Sequence, residues 1–172
     1  MILDRRVTVF GAYGHTGRFV VAELQDRGWT PILSGRDPEK LSLLATAYPK
    51  LEVRPASIDS PASLDCALAG AAVVINCAGP FLDTTTPVIE AALRAGIRYL
   101  DVTPEQRAVL AAFDRFADPA IYAISAPIVV EASQRIVTGR AKKRGVVAAG
   151  EAFDAREFLD SLHPTHLSIT MQ

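Results

Sequence analysis

Gly11, Gly14 and Gly17 recur every third residue in GAYGHTGR, between the apolar run RVTVF and a segment of helical character. Residues without a Cβ at a strand-to-helix turn let backbone amides approach an anion, and the positive end of the helix dipole favours it. The spacing points to a cradle for a phosphate or pyrophosphate. Alternatively, the three glycines only allow the helix to pack closely on the strand.

The next apolar run ends LSGRD, which sets Arg36 beside Ser34 and Gly35. At the tip of a second strand, a dinucleotide site carries either an acid for the ribose hydroxyls of NAD or a cation for the 2′-phosphate of NADP. Arg36 is such a cation, and Lys40 follows one turn later. Asp37 precedes Pro38 and is explained as a helix cap. NADP(H) is thus favoured over NAD, against the alternative that Arg36 is an ordinary surface charge. Further on, NCAGPF brings Cys77, Ala78, Gly79 and Pro80 together, small residues suited to a dinucleotide crossing a sheet edge. Cys77 reads as a packing residue, because no His or metal partner accompanies it. Asp59 either touches an adenine or caps a turn.

Other chemistries lack their residues. No Tyr-x-x-x-Lys dyad occurs, since Gly17, Glu52, Thr103 and Ala126 stand four after the tyrosines. No Gly-x-Ser-x-Gly elbow is present, and His163 and His166 in HPTH have no further clustered ligands. No metal site, general acid or general base emerges, so the catalytic residues are unknown at this level. His15 lies inside the glycine turn, suited to a phosphate contact or local packing.

These residues need elements to hold them. Strand-length apolar runs at 6–10, 30–35, 51–56, 72–78, 98–102 and 121–125 alternate with longer segments of helical period, and a seventh short run occupies 166–170. Asp37-Pro38, Ser60-Pro61, Thr86-Pro87 and Thr103-Pro104 look like helix starts, and Thr103 with Gln106 and Asp154 with Glu157 have capping-box spacing. Gly28, Gly70, Gly96 and Gly139 close the periodic segments. Apolar stripes are expected from Val88, Ile89, Ala92 and Leu93, and from Val109, Leu110, Phe113 and Phe116. The pattern predicts an α/β fold of three layers, a doubly wound Rossmann-type parallel sheet in the order 3-2-1-4-5-6.

At 172 residues the chain suits one domain, 1–172, with a core at 1–118 and a sixth strand and closing helices at 121–172. A net charge of −1 gives no reason to expect nucleic acid or an anionic membrane. Arg140, Lys142, Lys143 and Arg144 read as a solvated helix end. Two cysteines and a charged amino terminus suggest a cytoplasmic protein without a signal peptide, and no apolar run is long enough to span a bilayer.

Taken together, GAYGHTGR, LSGRDPEKL, VVINCAGPF and PVIEAALRAGIRYLDVT resemble the NADP-binding domain of the saccharopine dehydrogenase-like proteins, a family that includes trans-acting enoyl reductases. The resemblance spans residues 6 to 118. It implies that Gly11, Tyr13, Gly14, His15 and Thr16 hold the pyrophosphate, Arg36 the 2′-phosphate, and Ala78 to Pro80 the middle of the cofactor. It implies an oxidoreductase transferring hydride to a small substrate, with a homodimer as a possible assembly. The alternative is a module or sensor that binds NADP(H) without turnover. Two departures stand out. Asp101-Val-Thr103-Pro104-Glu105 places proline where the family has glycine. The segment IYAISAPIVVEASQRIV resembles the helix that returns after the family's middle substrate domain, so that domain is expected to be missing, by natural loss or by design, with a join near Ala120.

Overall fold

A computed structural model describes residues 6–102, 120–143, 147 and 149–166. Five parallel strands form one sheet in the order β3-β2-β1-β4-β5. They are β1 (Arg6–Phe10), β2 (Thr30–Gly35), β3 (Glu52–Pro55), β4 (Val73–Asn76) and β5 (Arg98–Asp101). The crossover helices are α1 (His15–Asp26), α2 (Pro38–Ala47), α3 (Pro61–Leu68) and α4 (Phe81–Ala95). The chain continues with α5 (Ala120–Val137), α6 (Ala149–Ala152) and α7 (Ala155–Asp160).

The sheet is buried on both faces, as parallel strands require. Alternation along each strand sends Val7, Val9, Leu33, Val73 and Ile75 to one side, where they meet Val20, Val21 and Leu24 of α1, Leu41 of α2 and Ala126, Val129 and Val130 of α5. Phe10 and Val74 face the other side, against Leu64, Ala67 and Leu68 of α3 and Val88, Ala91 and Ala92 of α4. Helix, sheet and helix make the three expected layers.

Local signals hold at most termini. Asp37 caps α2 by accepting from the Glu39 and Lys40 amides at 3.1 Å each. Ser60 caps α3 and Asp154 caps α7. Gly28, Gly70, Gly96 and Gly139 all adopt positive φ, from 67° to 76°, at the four expected stops.

Three expectations are corrected. The sixth strand at 121–125 is instead part of helix α5. Its apolar run continues into Ala126, Val129, Val130 and Ser133, all buried and spaced for one helical face, so the order ends at β5 among the described residues. Helix α4 does not start at Thr86-Pro87 but at Phe81, with Pro87 inside it. A proline there removes the N–H that would bond the Asp83 carbonyl, yet burial of Thr84, Val88, Ala91 and Ala92 carries the helix through. Leu93, expected on the buried stripe, is 73% exposed, because it lies a further 100° round from Ala92. The stripe at 109–116, the Thr103 signals and residues 167–170 lie outside the described residues. Lys142 and Lys143, expected at a solvated helix end, follow the end of α5 and pair with Asp154 at 3.1 Å and Glu151 at 3.7 Å; Arg144 lies outside the described residues.

On the face of α5 against α1, Glu131 is buried between two guanidinium groups. Its carboxylate accepts from Arg135 Nε at 2.7 Å and from Arg27 Nη1 at 2.8 Å. Arg27 also binds Glu23 at 2.7 Å, and Arg135 reaches the Glu157 carbonyl at 3.3 Å and lies over the Phe158 ring at 5.0 Å. Burial raises the Glu131 carboxyl, but hydrogen bonds and charge from Arg135 and Arg27 outweigh it and hold the group below its ordinary value. A carboxylate depressed in the folded state contributes stability above its unfolded value, and that stability is lost as pH falls through the folded value. Glu131→Gln should therefore cost about 1–2 kcal/mol at neutral pH. It should also flatten the fall in stability below the ordinary glutamate range, as urea titrations between neutral and acid pH will show.

Candidate functional site

The carboxyl ends of the strands are level: Phe10 is opposite Ser34 on one side and Asn76 on the other, and Asn76 is opposite Asp101. A groove of about 250 Å³ opens along this edge at the reversal of strand order between β1 and β4. This is where open α/β sheets bind ligands.

Its floor is the glycine turn. Gly11 and Ala12 donate their amides to the Ser34 carbonyl at 2.9 and 3.0 Å, which ties the turn to the tip of β2. Gly11 has φ of 85°, and a Cβ there would lie 2.7 Å from the Ala78 nitrogen. Gly17 is buried in α1, where a Cβ would collide with the Gly11 carbonyl and the Ala12 backbone. The glycines thus serve both the close packing of α1 on β1 and the open approach to the groove.

Helices α2 and α3 have side-chain caps, whereas α1 and α4, the two that open at the groove, have none. Their N-termini are Gly14 and Pro80, both in the groove wall. Uncapped first-turn amides at a positive dipole end suit an anion, so the residues fit a pyrophosphate.

At the β2 end, Tyr13 packs its ring on Gly35, where a Cβ would come within 2.8 Å of the ring. Lys40 Nζ sits 5.7 Å from the Tyr13 ring centroid and 3.3 Å from Asp37. Arg36 is exposed at the groove edge and makes no ion pair among the described residues. Asp59 also lines the wall and accepts from Ser57 Oγ at 3.2 Å.

The β4 end is set by Asn76, which is fully buried. Its Oδ1 accepts from the Ala78 amide at 3.0 Å, and its Nδ2 donates to Thr84 Oγ1 and Tyr99 OH at 3.2 Å each. Thr84 in turn donates to the Ala78 carbonyl at 2.6 Å. The loop from Cys77 to Pro80 is therefore clamped at both Ala78 backbone groups. Burial, and secondarily the charge of Asp101, push the Cys77 thiol up to about 12. A thiol so placed carries almost no thiolate at neutral pH. Iodoacetamide should therefore label Cys66, which is exposed, and spare Cys77 until the protein is denatured. Peptide mass spectrometry on native and unfolded samples checks this.

Of the sequence-based candidates, Gly11, Tyr13, Gly14, Gly35, Arg36, Asp59, Cys77, Ala78, Gly79 and Pro80 line one groove. Ser34 is fully buried and meets the turn through its carbonyl; its Oγ has no hydrogen-bond partner among the described residues. His15 and Thr16 lie in the first turn of α1, the former exposed. Sequence reasoning missed Phe10, Ser57, Ile58, Asp83 and Thr84 in the wall. His163 and His166 lie away from it, and His166 is 3.5 Å from Glu23 on α1. Among the described residues, no cluster of His, Cys, Asp or Glu could hold a metal, and no helix is long and apolar enough to cross a membrane.

A family profile described as the saccharopine dehydrogenase NADP binding domain matches residues 7–148. The chain belongs to the saccharopine dehydrogenase-like family. The match covers the strands, the glycine turn and the groove just described, and identifies the domain as one that binds NADP(H). A human saccharopine dehydrogenase-like oxidoreductase is 31% identical over 86% of this chain and 40% of its own length. An Arabidopsis thaliana protein named as a probable mitochondrial saccharopine dehydrogenase-like oxidoreductase is 32% identical over 58% of the chain and 25% of its own length. The chain thus spans well under half of these relatives. The apo structure of Saccharomyces cerevisiae saccharopine dehydrogenase shares the fold, with a TM-score of 0.50 and 17% identity over 62% of this chain and 23% of that one.

Proposed function

We propose that this chain is the nucleotide-binding unit of an NADP(H)-dependent oxidoreductase that acts on a small molecule. The groove carries the proposal: two helix N-termini without side-chain caps meet over a Cβ-free turn, and the Arg36 guanidinium, unpaired among the described residues, stands at the tip of β2. Gly11 and Gly14 would admit the pyrophosphate, Arg36 would bind the 2′-phosphate, and Ala78 to Pro80 would lie beside the middle of the cofactor. When bound, NADP(H) supplies the hydride chemistry. The contribution of this chain is to bind, to orient and to hold the 77–80 loop rigid through Asn76. Family membership supports hydride transfer to a small substrate in the full-length relatives. A single domain joined near Ala120, able to form a homodimer, and a cytoplasmic setting that suits two free thiols complete the proposal.

The test is a paired titration with NADPH and NADH, followed by a turnover screen over carbonyl, imine and enoyl substrates. Saturable NADPH binding with much weaker NADH binding is expected. Equal affinity for the two would overturn the role of Arg36, and NADPH binding without turnover of any substrate would identify a module that binds and does not catalyse.

A further inference from the structure

The two ends of the groove differ in charge. Arg36 stands at the β2 end, whereas Asp83, in the first turn of α4, lines the β4 end. Among the described residues no cation pairs with Asp83. Arg94, on the same helix, is taken by Asp65 at 2.8 Å, and Lys40 by Asp37 at 3.3 Å. The other ionisable groups of the wall are Tyr13, Asp59 and Cys77. Asp59 belongs to the β3 side and Cys77 keeps its proton. Asp83 is therefore the negative charge of the wall on the β4 side; Asp101, at the end of β5, lies outside the wall and accepts from Tyr99 OH at 3.0 Å.

A dinucleotide with its adenosine half over β2 lays its other half across β4, because the sheet is built from two mononucleotide-binding halves about the switch point. That other half ends in the nicotinamide. The two forms of the cofactor differ there by a hydride, so the oxidised ring carries one more positive charge than the reduced one.

We propose that Asp83 selects the redox form of the bound cofactor, favouring NADP+ over NADPH relative to a groove without this carboxylate. The proposal rests on the groove being an NADP(H) site. Tighter binding of the oxidised form stabilises the product of hydride donation, so bound NADPH becomes a stronger donor. Asp83 is exposed and takes no part in the loop clamp, so its replacement leaves the fold intact.

Fluorescence or calorimetric titration of wild type and Asp83→Asn with NADP+ and with NADPH tests this without any turnover. The ratio of the two dissociation constants should move toward NADPH by roughly 3- to 10-fold, the size of one partly screened charge contact. Glu90→Gln removes the same charge from the same helix about 10 Å further along and should leave the ratio unchanged. Equal weakening of both forms would make Asp83 a ribose contact, and equal tightening would make it a charge that repels the diphosphate. Either result overturns selection, as does an unchanged ratio or an equal shift in Glu90→Gln. If wild type binds neither form, the reading of the groove falls as well, whereas binding of both with no selective shift removes this inference alone.

Discussion

Replacing Gly11 with Ala is expected to lower the melting temperature by about 5–15 °C and to remove measurable NADPH binding. The new Cβ would lie 2.7–2.9 Å from the Ala78 nitrogen and Cα and the Cys77 carbonyl carbon. These are backbone atoms, and Asn76 and Thr84 clamp Ala78 on both sides, so the loop cannot give way. The φ of 85° adds its own penalty. A left-handed conformation costs an L-residue about 1–2 kcal/mol, and overpacking costs about 1–3 kcal/mol more. At this chain length, each kcal/mol shifts the melting point by about 2–4 °C. Whatever movement relieves the clash separates the glycine turn from the 77–80 loop, and the groove loses its shape. A variant that melts like wild type and binds NADPH unchanged would show that the two backbones do not need this approach.

Arg36→Ala should leave the fold untouched, since the side chain is exposed and unpaired among the described residues. Its effect falls on one ligand. Charge-assisted hydrogen bonds contribute about 1.5–3 kcal/mol, so NADPH should bind roughly 10- to 100-fold more weakly. NADH, which has no 2′-phosphate, should change by less than about twofold. Lys40 cannot fully substitute, because it is held between Asp37 and the Tyr13 face. Arg36→Lys should recover only part of the loss, because an ammonium lacks the planar fork that matches a phosphate. Equal weakening of NADPH and NADH would place Arg36 elsewhere on the cofactor.

Much of this was legible in the sequence because it is local. Asp37 and Ser60 cap through amides two or three residues away, and the stop glycines act at their own φ. The glycine turn, LSGRD and NCAGP each sit at a strand end, and parallel register brings those ends level. What stayed hidden depends on contacts distant in sequence. Asn76 reaches Tyr99 across 23 residues, and Arg27 reaches Glu131 across 104. The strand expected at 121–125 failed for a related reason. A run of five residues shows no decisive period, and only packing of the following turns against α1 makes it helical. Asp83 was passed over because Pro87 drew the start of α4 six residues too late.

The two flanks of residues 103–119 are fastened separately. On one side, Val102 donates to the Asn76 carbonyl at 3.4 Å; on the other, α5 is riveted to α1 through Glu131. Both also rest on one apolar cluster, with Val102 packed against the group that holds Val129 and Val130 of α5. The sheet and α5 therefore close on each other through packing on either side of this segment.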